Sequence, residues 1–143
     1  MNVVTRDVNE VENIRIIIVD DSADVRQALK NFISLTGDID VVGEAIDGEE
    51  GLKKAAELQP DIIIMDERMP VLNGLEASRI LNESTLHSKV IMLTNYEDFE
   101  SEAYKCGVTA YLIKGVKLEI LIDCIRKVYQ SEIYPLHNSV DFG

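Results

Sequence analysis

The sequence has little of what marks several protein classes. It contains two cysteines, three prolines and no tryptophan among 143 residues. Cys106 and Cys124 lack a paired ligand spacing, which argues against a disulfide scaffold and predicts reduced, buried thiols in a cytosolic protein. The scarcity of proline and the lack of low-complexity tracts exclude collagenous and disordered chains. No apolar run approaches the ~20 residues that a spanning helix needs, so we expect no membrane segment.

Positive charge is also scarce. Fourteen Lys and Arg face 26 Asp and Glu, giving a formal net charge of -12. The resulting field repels phosphate backbones, so we expect no direct nucleic-acid binding by this chain and look for protein partners instead. The first thirteen residues lack a basic start followed by an apolar block, so they do not resemble a secretory signal, and a cytoplasmic location is expected.

Five short apolar runs alternate with five segments of helical period. The runs are Ile14 to Val19, Ile39 to Ala45, Ile62 to Met65, Val90 to Leu93 and Val108 to Ile113. Three of them are apolar on both faces, which indicates strands of a parallel sheet covered by helices on each side. With right-handed crossovers this alternation predicts one doubly wound α/β domain over 14–130, flanked by an N-terminal tail at 1–13 and a C-terminal tail or truncated linker at 131–143.

Stripes of apolar residues at helical spacing are predicted to face this sheet. They are Val25, Leu29, Phe32 and Ile33; Leu52, Ala55 and Ala56; Leu75, Ile80 and Leu81; Phe99, Ala103 and Cys106; and Leu118, Leu121, Ile122, Ile125, Val128 and Tyr129. Gly37, Gly74 and Gly107 are predicted at chain reversals or helix ends, and Pro70 is predicted to end the segment after the third strand.

Polar residues follow four of the five predicted strands. Asp20 and Asp21 follow the first strand, Asp66 the third, Thr94 ends the fourth, and Lys114 follows the fifth. In open parallel sheets the ligand crevice lies outside the carboxyl ends of the strands. The sequence therefore predicts that three carboxylates, one hydroxyl and one ammonium group meet at one edge of the sheet.

Three carboxylates at one edge would raise one another's pKa unless a cation lies among them. Oxygen ligands without His or Cys favour a hard ion, so Mg²⁺ or Mn²⁺ is the expected cofactor. A structural alternative exists for each residue: Asp21 or Ser22 could cap the first helix, Thr94 or Asn95 could cap the helix after the fourth strand, and Lys114 could be a surface lysine. The occurrence of all of them together favours a functional site.

Four sequence blocks resemble a known family over about residues 14 to 130. They are Ile-Ile-Val-Asp-Asp-Ser at 17–22, Asp-Ile-Ile-Ile-Met-Asp-Glu-Arg-Met-Pro at 61–70 with Gly74, Met-Leu-Thr at 92–94, and Tyr-Leu-Ile-Lys at 111–114. Together they are similar to the signature blocks of response-regulator receiver domains of two-component systems. The resemblance implies a flavodoxin-like five-stranded parallel sheet in the order 2-1-3-4-5 with five helices. The last block and the final helix are most similar to the subfamily with a C-terminal LuxR/NarL-type helix-turn-helix, which implies control of transcription through a domain absent from this chain.

The resemblance also implies a role for each residue at the edge. It makes Asp66 the phosphoacceptor for the phosphohistidine of a histidine kinase or a phosphotransfer protein. Asp21, Asp66 and the backbone carbonyl of Arg68 would ligate Mg²⁺, with Asp20 assisting through water. Such a chain is a signalling phosphoacceptor, and it catalyses only its own phosphorylation and slow dephosphorylation.

A phosphoryl group on Asp66 would add roughly 1.5 to 2 negative charges, which attract the Thr94 hydroxyl and the Lys114 ammonium. By resemblance, Tyr111 then fills the space that Thr94 leaves. The surface formed by the fourth helix, fifth strand and fifth helix changes, and we expect a phosphorylation-dependent homodimer that uses the final helix and the fifth strand.

Three positions depart from the family pattern. Gly115 stands where a proline often follows the lysine, Asn95 where a smaller residue usually follows the threonine, and Arg68 is large and cationic two positions after the acceptor. Arg68 and Tyr96 are expected to flank the phosphoryl group. These departures bear on access to Asp66 and on the lifetime of the acyl phosphate.

Three other functions are alternatives to the phosphoacceptor receiver. An aspartyl-phosphate phosphatase of the dehalogenase type needs a second Asp two residues after its nucleophile, where this chain has Arg68. A flavodoxin-like FMN carrier needs a phosphate-cradling loop after the first strand, where Asp20 and Asp21 would repel phosphate. A degenerate receiver would serve only as a protein interaction module, although here every site residue is present.

Overall fold

Strands and helices alternate along the whole of the chain that the structure describes, a computed structural model covering residues 12–131. The elements are β1 (Ile14–Val19), α1 (Ala23–Ile33), β2 (Ile39–Ala45), α2 (Gly48–Leu58), β3 (Ile62–Met65), α3 (Gly74–Asn82), β4 (Lys89–Thr94), α4 (Glu100–Lys105), β5 (Ala110–Ile113) and α5 (Leu118–Gln130). All four strand pairings are parallel, in the order β2-β1-β3-β4-β5. This confirms the predicted doubly wound, flavodoxin-like α/β fold.

The three central strands are covered on both faces. All four residues of β3 are buried, as are five of six in β1 and five of six in β4. Because successive side chains of a strand point to opposite faces, Ile62 and Ile64 join the core under α1 and α5, while Ile63 and Met65 join the core under α2, α3 and α4. Burial on both sides explains why these strands are apolar at every position.

The strand bounds differ from the predicted ones at one edge of the sheet. β4 extends one residue beyond the predicted run at each end, to Lys89 and Thr94. β5 starts at Ala110, two residues later than predicted, because the amide of Val108 donates to the carbonyl of Ala103 at 3.0 Å and closes the end of α4.

Three residues assigned to the inward stripes do not face the core. Ala56, Ile80 and Tyr129 are exposed. Each is adjacent in sequence to a buried residue of the same helix, and one residue turns a helix by about 100°, which moves the side chain toward solvent. At the border of an apolar stripe, the sequence pattern therefore does not predict whether a side chain faces the core or the solvent.

The glycines serve two different purposes. Gly37 and Gly107 have φ of 80° and 91°, the left-handed conformation expected at chain reversals. Gly74 instead begins α3, where the neighbouring backbone leaves no room for a side chain.

Among residues 12–131, no helix is long and apolar enough to cross a membrane. The predicted tails at 1–13 and 131–143 lie almost entirely outside the described residues, and their bounds stay predictions.

Candidate functional site

The carboxyl ends of the strands bring the predicted site residues to one edge of the sheet. Asp20 and Asp66 are buried there, with 3 % and 7 % of their surface exposed, whereas Asp21 is exposed. One carboxylate oxygen from each of these three residues lies within 4.8 Å of the others. The expected cluster of three aspartates is therefore present.

Lys114 joins two of the three carboxylates. Its Nζ lies 2.8 Å from Oδ2 of Asp20 and 3.0 Å from Oδ2 of Asp66. The lysine is held in register by its own amide, which donates to the carbonyl of Thr94 at 2.8 Å. Burial alone would lower the pKa of the Lys114 ammonium, but its hydrogen bonds to Asp20 and Asp66 raise that pKa above its ordinary value. Lys114 is thus a charged member of the site, and the surface-lysine alternative is excluded.

The second oxygen of each buried aspartate accepts a backbone amide. Oδ1 of Asp20 accepts from the amide of Ser22 at 2.8 Å, and Oδ1 of Asp66 accepts from the amide of Glu67 at 2.8 Å. Each carboxylate is therefore fixed through both oxygens, one on a local amide and one on the lysine. A side chain held in this way needs little reorganisation before it reacts.

Burial is also the main influence on the charge of Asp66. It raises the pKa of the Asp66 carboxyl above its ordinary value, and the neighbouring Asp20 adds to the rise, while Lys114 opposes it. A further cation beside Asp66 would favour the ionised form.

Thr94 contributes a hydroxyl that has no partner among the described residues. The residue is fully buried at the end of β4, next to β3, and its Oγ1 makes no hydrogen bond there. An unsatisfied buried hydroxyl costs about 1–3 kcal/mol, so such a group calls for an explanation. An incoming acceptor oxygen at this edge would satisfy it.

An aromatic and cationic group borders the site. The guanidinium carbon of Arg68 lies 4.2 Å from the ring centroid of Tyr96, and that ring meets Phe99 edge to face with centroids 6.1 Å apart. The hydroxyl of Tyr111 donates to the backbone carbonyl of Tyr96. Tyr111 is buried, so the structure shows its side chain already packed inward and connected to the loop that follows Thr94.

The helix-capping alternative holds for only one residue. Ser22 caps α1, since its Oγ accepts from the amide of Val25 at 3.3 Å. Neither Thr94 nor Asn95 caps α4, which starts after Phe99 without a side-chain cap. Asp21 is adjacent to the cap but is not the cap itself.

Glu67 is a buried acidic residue of the site that the sequence argument did not identify. Only 4 % of its surface is exposed, and its Oε1 accepts from the amide of Leu75 at 2.8 Å. Burial raises the pKa of the Glu67 carboxyl, and the Leu75 amide opposes this rise. Its partner is eight residues away, so no local capping pattern marks it. The only available signal was a second charged residue following Asp66 after a fully apolar strand.

The start of α3 lies against the backbone of Asp66. A Cβ on Gly74 would lie 2.1 Å from the carbonyl oxygen of Asp66 and 3.0 Å from the Cα of Glu67. Real atoms cannot approach so closely, and both neighbours are backbone. The glycine therefore permits the helix to lie directly against the residue at the centre of the site.

The response regulator receiver domain matches the chain over residues 16–126. The chain belongs to this family. The receiver domain is the signalling domain of two-component response regulators, and the family interacts with histidine kinases or phosphotransfer proteins. Membership decides against the dehalogenase-type phosphatase and the FMN carrier.

Curated relatives agree with the predicted subfamily. The transcriptional regulatory protein LnrK of Bacillus subtilis is 38 % identical over 120 residues, which cover 82 % of this chain and 54 % of that protein. The response regulator protein VraR of Staphylococcus saprophyticus is 37 % identical over 122 residues, covering 83 % of this chain and 58 % of that protein. The relatives include LuxR-family regulators, and the chain spans little more than half of their length.

Solved structures show the same architecture. The response regulator domain of CheB from Thermotoga maritima has a TM-score of 0.78 and 35 % identity, covering 85 % of this chain and 100 % of that chain. A LuxR-family DNA-binding response regulator from Staphylococcus aureus has a TM-score of 0.78 and 30 % identity, covering 82 % of this chain and 99 % of that chain.

Proposed function

We propose that this receiver accepts a phosphoryl group on Asp66 and that the acyl phosphate changes a protein-interaction surface. One observation carries the assignment: Asp66 is a buried carboxylate bound to the ammonium of Lys114, at the same edge of the sheet as the Thr94 hydroxyl, which has no hydrogen-bond partner in the described part of the chain. An ammonium group and a free donor are what a transferred phosphoryl group requires. The degenerate receiver is not favoured, because every group needed for transfer is present.

The aspartate cluster suits a divalent metal ion. Asp20, Asp21 and Asp66 offer only hard oxygen ligands, close enough together to share one ion. Asp21 is exposed, so its carboxylate can bind an ion that enters from solvent. We assign Asp21, Asp66 and the backbone carbonyl of Arg68 as ligands, with Asp20 acting through water, and Mg²⁺ or Mn²⁺ as the ion. When bound, the ion neutralises charge on the phosphoryl oxygens.

The proposed transfer is a nucleophilic substitution at phosphorus. A carboxylate oxygen of Asp66 forms a bond to phosphorus while the bond from phosphorus to the donor's imidazole nitrogen breaks, and the electron pair leaves with the imidazole. Lys114 neutralises charge on the transferred oxygens, and the Thr94 hydroxyl donates to one of them. Transfer and slow hydrolysis of the acyl phosphate are the only reactions that we assign to the chain.

The hydrogen bonds around β4 suggest how the acyl phosphate reaches the surface. Thr94 and Lys114 are joined through the backbone at 2.8 Å, and Tyr111 holds the carbonyl of Tyr96 two residues beyond Thr94. Movement of Thr94 toward the phosphoryl group would pull on both contacts. Tyr111, as the proposed switch residue, then couples the end of β4 to β5 and α4.

The assignment is tested by incubating the chain with acetyl phosphate in Mg²⁺ and measuring its intact mass. We expect one added phosphoryl group that is labile to base, and no addition in EDTA, because the clustered carboxylates then lack their counter-charge. Addition that is undiminished in EDTA would contradict the metal assignment. Restoring the reaction with added Mg²⁺ controls for damage by the chelator.

Arg68 and Tyr96 form a contact that we propose shields the acyl phosphate from water. The guanidinium lies over the ring at 4.2 Å. Asn95 is exposed directly after Thr94, and we assign it a part in the same access to Asp66. Replacing both Arg68 and Tyr96 by Ala is expected to shorten the lifetime roughly threefold, the size of a contact worth about 0.5–1 kcal/mol. The measurement is loss of label after donor removal in saturating Mg²⁺.

The matched control is Tyr96→Phe, which keeps the ring under Arg68 and should leave the lifetime near that of the wild type. A longer lifetime in the double variant would mean that Arg68 instead stabilises the transition state for hydrolysis. That result, or an unchanged lifetime, would refute shielding.

We further propose a histidine kinase or phosphotransfer protein as the phosphoryl donor, and no direct nucleic-acid contact by this acidic chain.

We also propose a homodimer that forms on phosphorylation. Ile120 of α5 is half-buried and accessible to a second copy of the chain, whereas the side chain of Tyr111 is buried and is not. Sedimentation with and without a phosphoryl mimic measures the dimer. Transcriptional output through a further domain and a cytoplasmic location are proposals of the same standing.

A further inference from the structure

Glu67 makes hydrogen bonds in two directions, one toward Asp66 and two toward α3. Its amide donates to Oδ1 of Asp66 at 2.8 Å. Its backbone carbonyl accepts from the amide of Gly74 at 2.8 Å, and its Oε1 accepts from the amide of Leu75 at 2.8 Å. Residue 67 is therefore held at three points, through its amide, its carbonyl and its side chain.

Two residues take the three amides of Gly74, Leu75 and Glu76 in the first turn of α3, which have no acceptor within the helix. Glu67 takes those of Gly74 and Leu75, and the side chain of Asn73 takes that of Glu76 at 2.9 Å. The carbonyl of Asn73 accepts the first bond of the helix itself, from the amide of Ala77 at 3.0 Å. Asn73 is the ordinary local cap and makes no bond to Asp66. Within residues 12–131, Glu67 is the residue that hydrogen-bonds both to α3 and to Asp66.

Burying a carboxylate at this position is costly because the group loses its hydration. An apolar side chain of similar size would fill the space without that cost. The negative charge gains from the positive end of the helix macrodipole and from the Leu75 amide. The side-chain bond to α3 restrains the Cα of Glu67, which is one end of the peptide whose amide holds Oδ1 of Asp66. The next residue is Arg68, whose carbonyl is the assigned metal ligand.

We propose that Glu67 is a positioning residue for phosphoryl transfer: by anchoring the backbone of residue 67 to the start of α3, its side chain orients the Asp66 carboxylate and the Arg68 carbonyl. This rests on the proposed function of Asp66. Groups that orient metal ligands typically contribute 10- to 100-fold to metal affinity or activity, and small displacements of reacting groups have effects of similar size.

The test compares three variants of the whole chain. Glu67→Met keeps the volume but removes the acceptor, Glu67→Gln keeps an acceptor oxygen at the same distance, and Asn73→Ala removes the other cap of α3. Labelling by acetyl phosphate is followed at limiting Mg²⁺. A second measurement, hydrogen exchange of the amide at position 67, reports the bond to Asp66 without any phosphoryl transfer.

We expect Glu67→Met to label about tenfold more slowly and to exchange the amide at position 67 faster by a similar factor. Glu67→Gln and Asn73→Ala should stay within about threefold of wild type in both measurements, because the first retains the anchor and the second never contacted Asp66. Wild-type labelling and exchange in Glu67→Met would overturn the proposal. An equal loss in Asn73→Ala would also overturn it, since α3 stability would then be the cause.

If Glu67→Met does not fold, as judged by circular dichroism, Glu67→Asp replaces it. The shorter carboxylate keeps the charge but cannot reach the Leu75 amide, so slower labelling is again expected and a wild-type rate would overturn the proposal. Labelling of Asp66→Asn is measured in the same experiment. If that variant is labelled as well as wild type, the assignment of Asp66 itself is wrong, whereas an inert Asp66→Asn beside a fully active Glu67→Met removes only the role of Glu67.

Discussion

Asp66→Asn should abolish phosphorylation by acetyl phosphate or by a phosphohistidine donor. The amide oxygen is a poor nucleophile, and the variant removes one of three clustered negative charges that would hold the metal ion. The amide can still accept from Glu67, and the site loses a buried charge that Lys114 only partly offsets. We therefore expect a folded protein with no base-labile label in intact-mass measurements, a loss of at least about a hundredfold.

The matched control for this variant is Asp61→Asn, which changes an aspartate just before β3 rather than just after it. The Asp61 carboxylate accepts from the backbone amide of Arg15 at 2.8 Å, at the opposite end of the strand. Its replacement should leave labelling unchanged. Persistent label on Asp66→Asn would show that another side chain is the phosphoacceptor, and peptide mapping would identify it.

Gly74→Ala should destabilise the fold by about 3 kcal/mol, the upper range for overpacking a well-packed site. The new Cβ would lie 2.1 Å from the carbonyl oxygen of Asp66, and neither α3 nor β3 can move away without breaking hydrogen bonds. Urea denaturation measures the free energy of unfolding. Displacement of the Asp66 backbone should slow phosphorylation of the remaining folded protein as well.

Gly51→Ala is the comparison variant for Gly74→Ala. It also introduces a Cβ into a helix, but the nearest atoms are the methyl groups of Val19 at 3.0 and 3.1 Å, which belong to a side chain. The gain in helix propensity, about 1 kcal/mol, offsets this tighter contact, so a net change within about 1 kcal/mol is expected. If Gly74→Ala were equally mild, the close approach of α3 to Asp66 would not be a real constraint.

Much of the site follows from the sequence because of one property of parallel sheets. Every strand ends at the same edge, so residues that follow different strands must meet even when they are far apart in the chain. Asp20, Asp66 and Lys114 could be brought together in this way, and the structure joins them. The same argument has no access to Glu67, because its bond to Leu75 depends on where α3 starts.

The sequence could not predict which way side chains point at the border of an apolar stripe. Ala56, Ile80 and Tyr129 fit an apolar helical pattern but are exposed, since the pattern gives a period and not the width of the neighbouring surface. Val71 has a φ of 69°, a conformation that a β-branched residue rarely adopts. The amide of Leu72 donates to the carbonyl of Pro70 at 2.7 Å across Val71, so the residue is the centre of a three-residue turn that its side chain does not predict.

The sequence by itself determined the alternation of strands and helices, the coverage of the central strands and the identity of the polar residues at the strand ends, because periodicity and burial are properties of consecutive residues. The tertiary structure alone decided that Lys114 bridges two carboxylates 48 and more residues away, and that the Thr94 hydroxyl is buried without a partner among the described residues. It also decided that the side chain of Tyr111, in β5, is buried with its hydroxyl on the loop after β4. Distances and hydrogen-bond partners at this range depend on how the helices pack on the sheet, and no local pattern encodes that packing.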